Sequence, residues 1–187
     1  MHHYIDIHLR ADPEFAEHQL MAALFAKLHR VLAQAQINTI GVSFPHYGLS
    51  PATLGRVLRL IGGSAELTRL MAQPWLAGMR DHTALGNIVP VPENAVHKRL
   101  QRVQAKSSPE RLMRRQMRRH ELSEEEARGV YQDVPAQRLK LPYIPMASSS
   151  SGQAFKLFFR LGPAQAQPTP GDFNAYGLSK TATTPCF

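Results

Sequence analysis

The sequence predicts an α+β fold in two parts, and three observations carry that prediction. Short stretches near the N-terminus alternate apolar and polar residues, the period of a half-buried strand. Segments between and after them place leucines at helical spacing. Past residue 94 the character of the chain changes, and cationic charge collects in one place. The expected division is therefore one domain over 1–94 and a second over 95–187.

The first part is read in order. In residues 4–10, Ile5, Ile7 and Leu9 share one face, and Tyr4, Asp6, His8 and Arg10 share the other. Asp12-Pro13 reads as a helix start, Asp as N-cap and Pro in the first turn. Leu20, Leu24, Leu28, Val31 and Leu32 carry that helix to about Ala35. Residues 39–44 alternate again, with Ile40, Val42 and Phe44 inward, until Pro45. A loop with Gly48 and Pro51 leads to a strand over 56–61. Gly62-Gly63-Ser64 turns into a short helix over 65–72 that Pro74 stops, and a less regular extended segment covers 79–91. The order β-α-β-β-α-β is the ferredoxin-like split βαβ layout. Many RNA-binding (RRM-like) domains use it, and so do many unrelated proteins.

The second part reads as an α/β domain. Residues 96–104 are extended, so Arg102 and Gln104, two apart, point the same way. Ser108-Pro109 opens an arginine-rich helix over 109–120. Ser123 and Glu126 form a capping box for another helix, which gives Glu124, Glu125 and Glu126 a place in the first turn. Residues 141–147 and 153–161 read as a hairpin around the serine run, 163–172 as a Pro/Ala/Gln loop, and 173–178 as a final strand carrying Tyr176.

The 187 residues are 43% apolar, enough for a real core. No apolar run reaches the length of a membrane span. The first ten residues do not resemble a signal peptide. Cys186 stands alone, which excludes a disulfide framework or a cysteine zinc site within one chain. A cytoplasmic protein is expected. The net charge is +8. Residues 97–120 hold nine of the 22 basic residues and one of the 14 acidic ones, so the remainder carries thirteen of each. A neutral body with one concentrated cationic element favours a polyanionic partner.

Arg111, Arg114, Arg115, Arg118 and Arg119 fall on one helical stripe, with Leu112, Met113 and Met117 left to anchor the opposite side. Like charges three and four apart destabilise an isolated helix. A solvated charged face normally interleaves acids, and none are interleaved here. Arginine rather than lysine suits bidentate contacts to phosphates or base edges. Arginine matches the O6/N7 edge of guanine and glutamine the N6/N7 edge of adenine, so Arg102 and Gln104 are candidate base readers. In A-form RNA such reading requires a helix end or loop, where the groove opens.

Chemistry on such a partner would need a general base near neutral pKa. Histidine is the usual base. There are nine, and composition does not choose among them. Taken alone, His29 reads as a helix-surface residue, Ser148 as part of a polar turn, and Tyr176 and Phe155 as core-strand residues. His2, His3 and His8 lie near Asp6 but on alternating faces, so no metal site and no cofactor are expected. A Ser–His hydrolase with Ser148 as nucleophile lacks the Gly-x-Ser-x-Gly elbow. Cys186 as nucleophile is weaker still.

The string RVQAKSSPERLMRRQMRRHELSEEEAR, with GVSFP from residue 41, SSSSGQAF from 148 and AYGLSK from 175, closely resembles the CRISPR-associated endoribonucleases of subtype I-F. The resemblance runs from MHHYIDIHLR to the C-terminus. It is poorest in SFPHYGLSPATLG, in 163–170 and in TATTPCF. It implies a ferredoxin-like N-terminal domain and a C-terminal domain whose arginine helix enters the major groove of a CRISPR repeat stem-loop. It also implies metal-independent cleavage of precursor CRISPR RNA at the base of the hairpin. The product carries a 2′,3′-cyclic phosphate and stays with the other subunits of a type I-F surveillance complex. In this likeness His29 is catalytic, Ser148 contacts the ribose 2′-OH, and Tyr176 orients the histidine. Ser150 lies beside the scissile phosphate, and any of serines 148–151 can take these roles if the turn shifts. Arg102 and Gln104 read bases, Phe155 stacks on the terminal base pair, and the five arginines with His120 contact the stem. Two other readings remain: a non-cleaving subunit that only caps a guide RNA, and a helix-turn-helix protein that binds DNA.

Overall fold

The computed structural model describes residues 2–104, 117, 139–148 and 152–187. The chain divides into two compact units: Met1–Val103 with Leu141–Phe187, and Gln104–Lys140. Of the second unit only Gln104, Met117, Leu139 and Lys140 are described, Met117 as helical. The expected arginine helix and the capping box at Ser123 lie outside the described residues.

The first unit is mixed α/β. Its main sheet is antiparallel, with β1 (His3–Leu9) and β5 (Val57–Gly62) at the centre. The strand order is β2 (Gly41–Ser43), β5, β1, β6 (Thr83–Leu85), and β7 (Val89–Pro90) also pairs with β1. The alternation in β1 is realised: Ile5, Ile7 and Leu9 are buried. Helices α1 (Glu17–Gln34) and α2 (Ser64–Met71) add Leu24, Phe25, Leu28, Leu32, Leu67 and Leu70 to the same core. Each side chain fully buried in this way contributes about 1.5–3 kcal/mol relative to exposure. β5 is buried along its whole length, which is why it reads as a nearly continuous apolar run.

The exception in that run is Arg59. Its register partner across the sheet is Asp6. Nε and Nη2 of Arg59 donate to the two Asp6 carboxylate oxygens at 2.7 and 2.8 Å, and Nη1 donates to the Phe187 main-chain oxygen at 3.1 Å. The guanidinium also lies over the Phe187 and Tyr4 rings, at 3.8 and 4.5 Å. A buried arginine is tolerable because its charge is paired, three of its N–H donors are hydrogen-bonded and its flat faces lie on aromatic rings. Asp6, which stood beside the N-terminal histidines in the sequence, is committed to this pair.

Two elements differ from the sequence reading. Asp12 does not cap α1. Its Oδ1 accepts the N–H groups of Glu14 and Phe15, and its Oδ2 pairs with His82 Nδ1 at 2.9 Å. The helix begins after Ala16, where the Gln19 side chain accepts the Ala16 N–H. Asp12-Pro13 thus closes a turn of its own, as Asx residues do. The expected strand over 173–178 is also absent. That stretch is a turn, and a short strand β12 (Thr184–Cys186) follows it, paired with β8 (Val96–Lys98). The loop with Gly48 and Pro51 holds a two-residue ladder, β3 (Gly48–Leu49) with β4 (Ala52–Thr53). The hairpin forms as expected. β10 (Tyr143–Ala147) pairs with β11 (Ala154–Leu161), and β11 pairs on its other edge with β9 (Leu100–Val103). None of the described helices is long and apolar enough to cross a membrane.

Candidate active site and nucleic-acid platform

His29 lies in the last two turns of α1, half-buried, on the flank of the stripe that packs on the core. Its Nδ1 is 2.9 Å from the carbonyl oxygen of Ala175. A carbonyl oxygen only accepts, so Nδ1 carries the proton. In the neutral ring Nε2 is then the bare nitrogen, the form a general base requires. The imidazole also stacks on the Tyr176 ring, with centroids 3.9 Å apart and planes within 8°. Phe25, one turn earlier on α1, is parallel to the same tyrosine ring at 6.3 Å and meets Phe159 edge-on at 5.6 Å. The histidine is thus fixed in orientation by a stacked ring and in tautomer by a backbone carbonyl.

The segment that supplies both contacts is the turn where a strand was expected. Asn174 Oδ1 accepts the N–H groups of Tyr176 and Leu178, at 2.9 and 3.3 Å. The Asn174 carbonyl accepts Gly177 N–H at 2.8 Å, and its N–H donates to the Leu178 carbonyl at 2.9 Å. Gly177 sits at φ +67°, a conformation that favours glycine. Its carbonyl accepts Val42 N–H at 2.9 Å, which ties the turn to β2. Of this segment only Tyr176 was singled out from the sequence; Asn174, Ala175 and Gly177 were missed. The signal was present: Asn followed three residues later by Gly is turn chemistry.

Ser148 follows β10, which packs against α1. Its N–H donates to the Gln153 carbonyl at 2.9 Å, and its own carbonyl accepts Gly152 N–H at 2.8 Å, with Gly152 at φ +65°. These bonds pin Ser148 at the base of the hairpin turn. Ser150 lies outside the described residues.

At the same end of the hairpin stands Phe155, paired with Met146 across the ladder. The periodicity alone makes it core, beside Leu157 and Phe159. Leu157 and Phe159 are fully buried, whereas Phe155 is only partly so. The guanidinium of Arg102, exposed on β9, lies 5.5 Å from its ring centroid. Gln104 is exposed just beyond β9. Arg111, Arg114, Arg115, Arg118, Arg119 and His120 lie outside the described residues.

Cys186 is on β12, 4.0 Å from Ser43 Oγ. Burial pushes its thiol above the ordinary cysteine range, so it is protonated at neutral pH and a poor nucleophile. A cavity of about 960 Å³ lies elsewhere, lined by Glu66, Glu93, Asp172 and His97 among others. Among the described residues, none of the expected site residues and no lysine or arginine lines it.

These contacts bring together a helix-borne histidine whose neutral ring leaves Nε2 bare and, on the same unit, an arginine–aromatic pair. Comparison with known proteins gives the family. The profile described as CRISPR-associated protein (Cas_Csy4) matches residues 4–187. Two similar proteins are each named "CRISPR-associated endonuclease Cas6/Csy4". One is from Pseudomonas aeruginosa (strain UCBPP-PA14), 49% identical over all 187 residues and the whole of both chains. The other is from Escherichia coli (strain UTI89 / UPEC), 45% identical over the same span. The chain belongs to the Cas_Csy4 family of CRISPR-associated proteins. The segments where the resemblance is poorest in sequence fall within these matches.

Proposed function

We propose that this chain is a metal-independent endoribonuclease that cleaves precursor CRISPR RNA at the base of the repeat hairpin and keeps the product within a type I-F surveillance complex. The observation that carries the reading is the Nδ1–H bond of His29 to Ala175, which leaves Nε2 bare. Nε2 takes the proton of the ribose 2′-OH. The 2′-oxygen attacks the adjacent phosphorus, a new 2′-O–P bond forms, the P–O5′ bond breaks, and the departing O5′ takes a proton from water while His29 returns its own to solvent. The products are a 2′,3′-cyclic phosphate and a 5′-hydroxyl. Ser148 holds the 2′-OH in line, and Ser150 lies beside the phosphate. Tyr176 orients the imidazole by stacking.

In this reading residues 1–94 are a ferredoxin-like domain, supported by the order β2, β5, β1, β6 in an antiparallel sheet with both helices feeding one core. Residues 95–187 recognise the RNA. Phe155 stacks on the terminal base pair, Arg102 and Gln104 read bases beside it, and the arginine stripe with His120 follows the stem. The partial exposure of Phe155 and its contact with Arg102 support the stacking role. End-group analysis of the cleaved repeat RNA tests the chemistry. A cyclic phosphate on the upstream fragment and a 5′-hydroxyl on the downstream fragment are expected. A 3′-hydroxyl with a 5′-phosphate would mean water, not the 2′-OH, attacks.

A further inference from the structure

We propose that Asn174 is a positioning residue for His29, acting through the turn that holds Ala175 and Tyr176. The inference rests on the reading of His29 as the base, and it adds the device that selects its tautomer.

The contacts on His29 come from two consecutive residues, Ala175 by its carbonyl and Tyr176 by its ring. For one short segment to supply both, its backbone must be fixed. No regular element does this, since the stretch is neither strand nor helix. Asn174 does it instead. Its side-chain oxygen takes the N–H groups of Tyr176 and Leu178, and its main chain closes two further bonds, to Gly177 and Leu178. Four hydrogen bonds thus run from one residue around the peptide whose oxygen meets His29. Gly177 completes the frame. A Cβ there would come within 2.3 Å of Val42 Cγ2, and the Gly177 carbonyl is bonded to Val42 N–H. The turn is therefore anchored to the main sheet as well as to α1.

The consequence for chemistry is specific. An imidazole without this carbonyl has no bond to fix which nitrogen carries the proton, and a proton on Nε2 removes the base. Alanine at position 174 would leave the backbone N–H groups of Tyr176 and Leu178 without their acceptor and free the Ala175 carbonyl to turn away. Aspartate keeps an oxygen at the same place and accepts the same two bonds. The role differs from general support of the fold, because Asn174 itself is solvent-exposed and contributes nothing to the core.

The test uses the full chain labelled with 15N-histidine, with the His29 signals assigned by their loss in His29→Gln. Long-range 15N–1H spectra at a pH where the ring is neutral report which nitrogen is protonated. Wild type is expected to show a protonated Nδ1 and a bare Nε2. Asn174→Ala is expected to move His29 toward the Nε2–H form and to slow single-turnover cleavage by about 10-fold or more, at unchanged RNA affinity. Asn174→Asp is expected to restore both. If Asn174→Ala does not fold, Asn174→Ser, whose hydroxyl accepts more weakly, is expected to give a partial shift. A folded Asn174→Ala or Asn174→Ser variant with the wild-type tautomer would overturn the proposal, as would Nε2–H in the wild type. Cleavage by His29→Ala is measured alongside. Undiminished cutting there would remove the catalytic reading of His29, while the spectra still decide what Asn174 does.

Discussion

At the scale of single residues, the proposed site turns on one nitrogen. His29 has no special surroundings in sequence, and its helical position makes it look like a surface residue. The Ala175 carbonyl and the Tyr176 ring change that, because they hold the imidazole in one tautomer and one plane. His29→Ala should slow single-turnover cleavage by about 10²-fold or more, the range for removal of a general base, and leave the RNA dissociation constant unchanged. A large drop in affinity with the cleavage rate of the bound RNA intact would make His29 a structural or binding residue. Phe155 illustrates the reverse ambiguity. Alternation with Leu157 and Phe159 assigns it to the core, and only its partial exposure and its approach to Arg102 separate it from its neighbours. Periodicity identifies a face; it does not say where along the strand the core ends.

At the scale of elements, the legible parts were those whose own pattern decides them. The alternation of Ile5, Ile7 and Leu9 and the leucine stripe of α1 are local signals, and burial follows them residue for residue. The start of α1 and the turn at 174–178 were misread because competing side-chain bonds decide them. Asp12 is drawn to Glu14, Phe15 and His82 rather than to the helix. Asn174 folds back on its own backbone where Phe173, Tyr176 and Leu178 suggest a strand. The second of these misreadings hid the residues that orient the histidine.

Two predictions belong at this scale. Replacing Arg115 and Arg119 by alanine should weaken RNA binding and flatten the slope of log affinity against log salt by about 0.7–0.9 for each phosphate left without its arginine. An unchanged slope would mean that these arginines do not touch phosphates. His97, on β8, has Nδ1 buried without a hydrogen-bond partner among the described residues, and burial pushes its pKa below the ordinary histidine value. The unfolded chain then binds a proton more readily than the folded one. The stability that His97 contributes is fully present above its unfolded pKa of about 6.5. It declines as pH falls toward the depressed folded value. His97→Gln should flatten the decline of thermal stability between about pH 7.5 and 5.5. An equal decline in wild type and variant would assign the pH dependence to other groups.

At the scale of the whole molecule, the charge and the proposed catalytic residues are separated along the chain. The segment 97–120 carries the entire net charge of +8, while His29, Ser148 and Tyr176 come from stretches far apart in sequence. A concentrated cationic element gives affinity for a polyanion without specifying what is done to it. The proposed chemistry needs the neutral imidazole and its backbone clamp, which only the folded chain assembles. Binding and cutting should therefore be separable by mutation, and the family of this chain, whose relatives are named endonucleases, leads us to expect both. The direct measurement is incubation of the purified protein with its own CRISPR repeat RNA in excess EDTA. We expect one cut at the base of the hairpin, with the product retained on the protein. Tight binding of RNA that remains intact would contradict the account and leave a subunit that only holds its guide.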